Sequence, residues 1–225
     1  MKIWDEGLLM NSGGSQPSTD GLLFWMDGRD TLYGTEIGSY TPPAYKPAYM
    51  FDRVSNARIN FTEMWAANGV TQESPFVSIV TLPDKSGGQG LVETSSVSNV
   101  LSVEVVFYGS SLGSGLFEKD NSGRFYYPYI TGGAVRTNVI DYTTKPVHLI
   151  GTTDENGYPV IYKNGVKANV TSSSTVLQPR SINRLAMAYP PPLNIGCVRL
   201  YNRRLTEKEI LQNYNYELSI GRITE

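Results

Sequence analysis

Between residues 100 and 108 the chain alternates without a break. Leu101, Val103, Val105 and Phe107 fall on one side, and Ser102, Glu104, Val106 and Tyr108 on the other. A period of two is that of a pleated strand, so this stretch is predicted to be a strand with one face in a core. Similar short apolar runs occur at 21–26, 48–54, 75–82, 124–130, 134–140, 145–153, 158–163, 182–189 and 194–202, separated by Gly, Pro, Asn and Ser. Asn164-Gly165 divides two of them and predicts a type I′ hairpin, because both central residues of that turn need positive φ. Residues 34–47 contain Pro42, Pro43 and Pro47, which lack ladder donors, and are expected to be a loop. Residues 84–99 read as a polar connection, and 61–69 as a short helical turn or a loop crossing a sheet edge. Many short strands without long helical periods predict a β-sandwich.

One helix stands out near the C-terminus, from about Glu207 to Glu217. Thr206 is its expected N-cap and Glu209 sits at N3, the pattern of a capping box. Leu205 lies where it can staple against Ile210. Ile210, Tyr214 and Leu218, with Leu211 beside them, form a stripe expected to seal an edge or open end of the sandwich. Gly221 follows the helix.

A length of 225 residues suits one sandwich domain, placed at 21–225. Before it, residues 1–20 read as an N-terminal head and flexible segment. Asn11–Asp20 is too polar to pack a core, whereas Ile3, Trp4, Leu8 and Leu9 are expected to dock on the body or on a partner, with Trp4 and Leu8 as interface residues. The chain is 40% hydrophobic and 18% charged, which fits a folded protein. A net charge of -2 without a basic stripe argues against nucleic-acid binding. Cys197 is the single cysteine and His148 the single histidine, which excludes an internal disulfide and a His-Cys zinc cluster. The N-terminus is acidic where a signal peptide is basic, and no apolar run is long enough for a membrane span. The expectation is folding without classical export, no membrane insertion, and extracellular exposure only through release within a larger particle.

The segment IGCVRLYNRRLTEKEILQNYNYE, 195–217, resembles the closing segment of laminin-G-like, concanavalin-like jelly-roll domains. Its Val198-Arg199-Leu200-Tyr201 strand, Asn202-Arg203 turn, Leu205-Thr206 pair and Glu209-Ile210 helix start carry the likeness. GLLFWMDGRD, 21–30, is similar to that family's opening strand. KPVHLIGTTD followed by VIYKNGVKA, within 145–168, is similar to its histidine strand and Asn-Gly hairpin. The resemblance implies an all-β, concanavalin-like jelly-roll sandwich of two antiparallel sheets with a short C-terminal helix. The chain departs from the pattern before Gly196, where Pro190-Pro191-Pro192-Leu193-Asn194-Ile195 replaces the family's acids, and in keeping only His148. The opening also resembles single-domain structural proteins of bacteriophages of Gram-positive hosts. That likeness implies a virion location, other virion proteins as partners and a homo-oligomer.

Glycoside hydrolysis needs paired carboxylates, about 5 Å apart in retaining enzymes. The best strand offers only Glu104, Glu93 lies in polar sequence, and Asp154-Glu155 falls in a turn. No G-x-S-x-G elbow is present, and GSSLGSG at 109–115 lacks the lysine of a phosphate loop. His148 is expected to be a hydrogen-bonded interior residue, Cys197 a buried hydrophobe, and Trp25 and Trp65 core residues. No catalytic residue is assigned. Calcium is the one cofactor considered, with Asp27 and Asp30 as ligands. Sugar binding favours aromatic faces with fixed polar groups beside them. Tyr126, Tyr127 and Tyr129, with Arg124 and Asn121, form one candidate group. Tyr45, with Tyr40 and Tyr49, forms another. The leading expectation is a non-enzymatic virion surface or attachment protein that binds host cell-surface glycans. The alternatives are a purely structural capsid decoration or fibre component, and a glycoside hydrolase.

Overall fold

Leu193–Tyr201 is buried at all nine of its positions. Since successive strand residues point to opposite faces, such a segment must be covered on both sides. The computed structural model shows how. It describes residues 16–34, 48–63, 68–81, 90–109, 112–113, 118–119, 125–127, 135–137, 143–168, 170–171, 176–188 and 193–224. The strands are β1 (Leu22–Asp27), β2 (Tyr49–Phe51), β3 (Arg58–Glu63), β4 (Asn68–Glu73), β5 (Phe76–Thr81), β6 (Gly90–Val100), β7 (Ser102–Gly109), β8 (Leu112–Gly113) and β9 (Glu118–Lys119). They continue with β10 (Phe125–Tyr127), β11 (Val135–Thr137), β12 (Thr143–Thr153), β13 (Pro159–Lys163), β14 (Val166–Lys167), β15 (Val170–Thr171), β16 (Arg180–Ala188) and β17 (Leu193–Tyr201), before helix α1 (Glu207–Ser219).

Two antiparallel sheets form the sandwich. One has eight strands in the order β14-β13-β12-β7-β17-β5-β4, with β1 also paired to β17; the other has five, in the order β2-β3-β6-β16-β8. A small four-stranded sheet, β15-β11-β10-β9, accompanies them. Phe24, Met26, Val103, Val105, Phe107, Val198 and Leu200 of the larger sheet share one core with Met50, Ile59, Phe61, Val92 and Leu185 of the smaller. The alternation in β7 therefore works as expected, with its odd-numbered positions between the sheets.

The other face of the larger sheet is covered by α1 and the residues after it. Ile150, Val160, Tyr162 and Tyr201 pack with Leu205 and Ile210, while Phe76, Val106 and Cys197 pack with Ile223, Tyr214 and Leu218. The helix thus lies on a sheet face, not at an edge or end. Its N-terminus has the expected capping box of Thr206 and Glu209. Its C-terminus is closed by Gly221 at φ +69°, whose N–H donates to Leu218 O, while the Arg222 N–H donates to Glu217 O. This is the pairing of a Schellman motif. Asn164 and Gly165 have φ of 50° and 76°, as the predicted hairpin requires.

Three expectations change. Residues 90–99, read as polar connection, belong to the 11-residue strand β6. Its outer positions are polar, and its register against β16 shifts three times, which erases the alternation. Residues 61–63 and 68–69 are strand in β3 and β4, not helical turn. Finally, the C-terminal half of the polar 11–20 stretch is held against the body. Ser18 is buried, donating its N–H to Asn213 Oδ1 at 2.7 Å and its hydroxyl to Glu209 at 2.9 Å.

Candidate functional site

Strand β2 alternates across the smaller sheet. Met50 enters the core, which turns Tyr49 and Phe51 outward. Across the ladder, Tyr49 faces Asn60 and Phe51 faces Arg58. On the free side of β2, Tyr33 and Tyr49 exchange two backbone hydrogen bonds of 2.9 Å each. The bridge brings the Tyr33 ring onto the Tyr49 ring, 5.1 Å between centroids and 17° between planes. Phe51 meets both edge-on, at 5.8 and 5.6 Å. The Arg58 guanidinium lies 3.7 Å from the Tyr49 centroid. A guanidinium and a near-parallel ring cannot share one face at those distances, so Tyr49 is held between Tyr33 and Arg58. Tyr33 is 43% and Phe51 37% exposed.

The cluster is fixed from below. The turn after β2 is organised by buried Asp52, which accepts N–H bonds from Trp25, Val54 and Ser55. Each aromatic pair contributes about 0.5–1.5 kcal/mol beyond burial, which favours a preset arrangement of rings over loose side chains. The arrangement offers apolar ring surface for sugar C–H groups. A guanidinium, the phenol hydroxyls and Asn60 stand beside it as hydrogen-bonding groups.

A second concentration of chemistry lies under α1. Glu104, Arg199, Glu217, Arg222 and Asp27 are almost fully buried. Arg199 bridges Glu104 and Glu217, and Arg222 bridges Glu217 and Asp27. Asp27 also binds Arg29 at 2.7 Å and Arg53 at 3.0 Å. Glu104 accepts further bonds from Asn213 Nδ2 at 2.7 Å and the Tyr201 hydroxyl at 3.2 Å, and meets His148 Nε2 at 2.8 Å. Burial alone would raise the Glu104 carboxyl. The Arg199 charge and the His148 and Tyr201 bonds outweigh it and hold the group down to about 2. Asp27 follows the same logic: burial opposes ionisation, but Arg29, Arg222 and Arg53 keep it well below the usual carboxylate range. Burial pushes the Cys197 thiol up, which makes it unreactive.

These contacts decide what the layer can do. Glu104, Cys197 and Glu217 bring ligand atoms within 4.8 Å of one another, but the Arg199 guanidinium already bridges the two carboxylates. These carboxylates are fully buried and already taken up by guanidiniums, and their contacts clamp α1 to the sheet.

Asp27 and Asp30, expected as calcium ligands, fall at the rim of this layer. Asp27 is taken up as described, and Asp30 receives Arg53 Nε and Nη2 at 2.8 and 2.7 Å. With three arginines around them, these carboxylates do not fit a calcium site. Trp25 is buried as expected, but among charges, with Arg53 and Arg199 4.5 and 4.8 Å from its ring and Tyr216 edge-on at 6.5 Å. His148 is an interior hydrogen-bonded residue.

Of the expected sugar-binding residues, Tyr126 and Tyr127 lie in β10, where Tyr126 pairs with Arg136 and Glu118 and Tyr127 with Val135. Tyr129, Arg124, Asn121, Tyr40 and Tyr45 lie outside the described residues, as do Trp4, Leu8 and Trp65. The segment holding Tyr40 and Tyr45 has its two ends brought together by the Tyr33–Tyr49 bridge. Sequence reasoning found Tyr49 and missed Tyr33, Phe51 and Arg58. The Tyr-Met-Phe alternation carried the signal for Phe51; the pairing of residue 33 with 49 has none.

No protein-family model matches the chain, and no curated protein matches it either. Solved structures do. Trypanosoma rangeli sialidase matches with a TM-score of 0.58 at 14% identity, over 95% of this chain and 37% of that one. The same enzyme with 2,3-difluorosialic acid as a covalent intermediate gives 0.57 at 15%, over 95% and 38%. Its complex with sialic acid gives 0.56 at 14%, over 91% and 34%. This chain therefore spans little more than a third of the length of those proteins, and at such identity the likeness is one of fold: a jelly-roll-like β-sandwich.

Proposed function

We propose that this chain is a non-enzymatic recognition domain, a bacteriophage virion surface or attachment protein that binds host glycans through the Tyr33–Tyr49–Phe51–Arg58 surface. The observation that carries the reading is that cluster: exposed rings locked edge-to-face, with a guanidinium stacked on one of them, on a sheet face opposite the helix-covered one. The virion context rests on the resemblance of the opening segment to phage structural proteins. Shallow aromatic sites bind weakly one at a time, and display in many copies multiplies the effect. The burial of Glu104 and Asp27 beneath α1 and of Glu217 on its inner side, each bound by arginine, speaks against a hydrolase built on those acids.

The test is a glycan array probed with the purified chain and with Tyr33→Ala and Phe51→Ala variants. The reading expects a set of glycans bound by the parent and lost in both variants at unchanged circular dichroism. Binding that survives both substitutions, or no binding to any glycan, contradicts it. The structural alternative uses the same exposed rings as a subunit contact. Light scattering would then show a closed oligomer that dissociates on Phe51→Ala.

A further inference from the structure

The aromatic cluster is one end of a longer row. Tyr33 lies opposite Tyr49, Tyr49 opposite Asn60, Asn60 opposite Glu93, and Glu93 opposite Arg184. Residues directly opposite one another in a ladder share a face. Their chain neighbours Met50, Ile59, Val92 and Leu185 all enter the core between the sheets. The row therefore stands on the outer face of the smaller sheet and crosses β2, β3, β6 and β16. Asn60 and Glu93 are half-buried, and Arg184 is exposed. Neighbouring strands lie about 4.8 Å apart, so Arg184 stands about 14 Å from Tyr49.

The place of Arg184 in this row depends on an irregularity. A regular strand would turn Ile182 and Leu185 to opposite faces, yet both pack on the core. The register against β6 shifts on either side of Arg184, which leaves its side chain outward and opposite Glu93. Bulges of this kind re-aim side chains. Along the row the chemistry changes from rings to an amide, a carboxylate and a guanidinium. Ser95, Ser98 and Ser181, exposed on the same strands, are small. A pyranose ring is about as long as one strand spacing, so a sugar resting on the rings does not reach Glu93 or Arg184. A chain laid across the strands does. Sugar hydroxyls both donate and accept, which matches all three polar groups. A polyanion would meet Glu93, and a polycation Arg184.

We infer that the site runs from Tyr33 to Arg184 and takes an extended, neutral saccharide chain lying across β2, β3, β6 and β16. Asn60, Glu93 and Arg184 bind the sugars beyond the one on the rings. This rests on the reading of the rings as a glycan site.

Calorimetric titration of the full chain with a mono- to hexasaccharide series tests this. The series is built on the repeating unit of a neutral array glycan that the parent binds. Affinity is expected to rise about tenfold from the monosaccharide to the tetrasaccharide, the equivalent of about two added hydrogen bonds. Arg184→Ala and Glu93→Gln, with folding checked by circular dichroism, are expected to remove most of that rise. A flat series, a rise that both variants keep, or array binding confined to charged glycans overturns the inference. If Phe51→Ala still abolishes binding in those cases, the ring site itself stands. Binding that survives Phe51→Ala removes the ring site and the inference with it, as does a parent that binds no glycan.

Discussion

Glu104 shows how much one residue can carry. It projects from the face of β7 opposite the core, into the layer under α1, and is fully buried there. Its carboxylate is surrounded by Arg199, His148, Asn213 and Tyr201. Its value in the fold, about 2, lies below the ordinary 4.5, so the folded state binds fewer protons than the unfolded chain. The stability this contributes is complete above the ordinary value and is lost as pH falls through the folded value. Urea unfolding followed between pH 5 and 2 should therefore show falling stability across that window, with depressed Asp27 adding to the slope. Glu104→Gln should flatten the slope and cost about 3–5 kcal/mol, because it leaves Arg199 buried with one carboxylate in place of two. An unchanged midpoint in that variant would show that the pair contributes little. Beyond His148, expected as a hydrogen-bonded interior residue, this network was not legible from the residues. Glu104 read as the one acid on a good strand, and its partners lie far away in sequence, at 148, 199 and 213.

At the scale of elements, α1 and its ends were the most legible part, because caps are local. Thr206, Leu205, Glu209 and Ile210 all fall within a few residues, and the structure joins them as expected. Thr206→Ala should cost about 1 kcal/mol by removing the acceptor for the Glu209 N–H. Gly221→Ala should cost about 1–2 kcal/mol from the left-handed backbone alone, since a Cβ there would meet nothing within 4 Å. Both are read as shifts in denaturation midpoint, and a neutral Gly221→Ala would argue that the helix end relaxes. Strands were legible where one face is apolar and the register regular, as in β7. Strand β6 was not, because Asn99 takes φ of 62° and the register breaks repeatedly against β16. Local pattern cannot report a strand whose parity is set by its neighbours.

For the molecule as a whole, the two-sheet sandwich was legible from strand spacing and from the closing segment, whereas the division of labour between its faces was not. One outer face is closed by α1 and a layer of charge; the other presents the rings of Tyr33, Tyr49 and Phe51. Sequence reasoning looked for the sugar site where tyrosines are dense, around 126–129 and around 40–49, because density is visible along a chain. The structure gathers a described cluster from residues 33, 49, 51 and 58, which only the Tyr33–Tyr49 bridge and the β2–β3 ladder bring together. The most direct test of glycan recognition at this face is amide chemical-shift mapping of the labelled chain, titrated with a glycan taken from the array. The account predicts that the largest shifts fall on Tyr33, Tyr49, Phe51, Arg58 and Asn60. Shifts that leave these residues unmoved and centre on Phe125–Tyr127, or none at any glycan concentration, would contradict it.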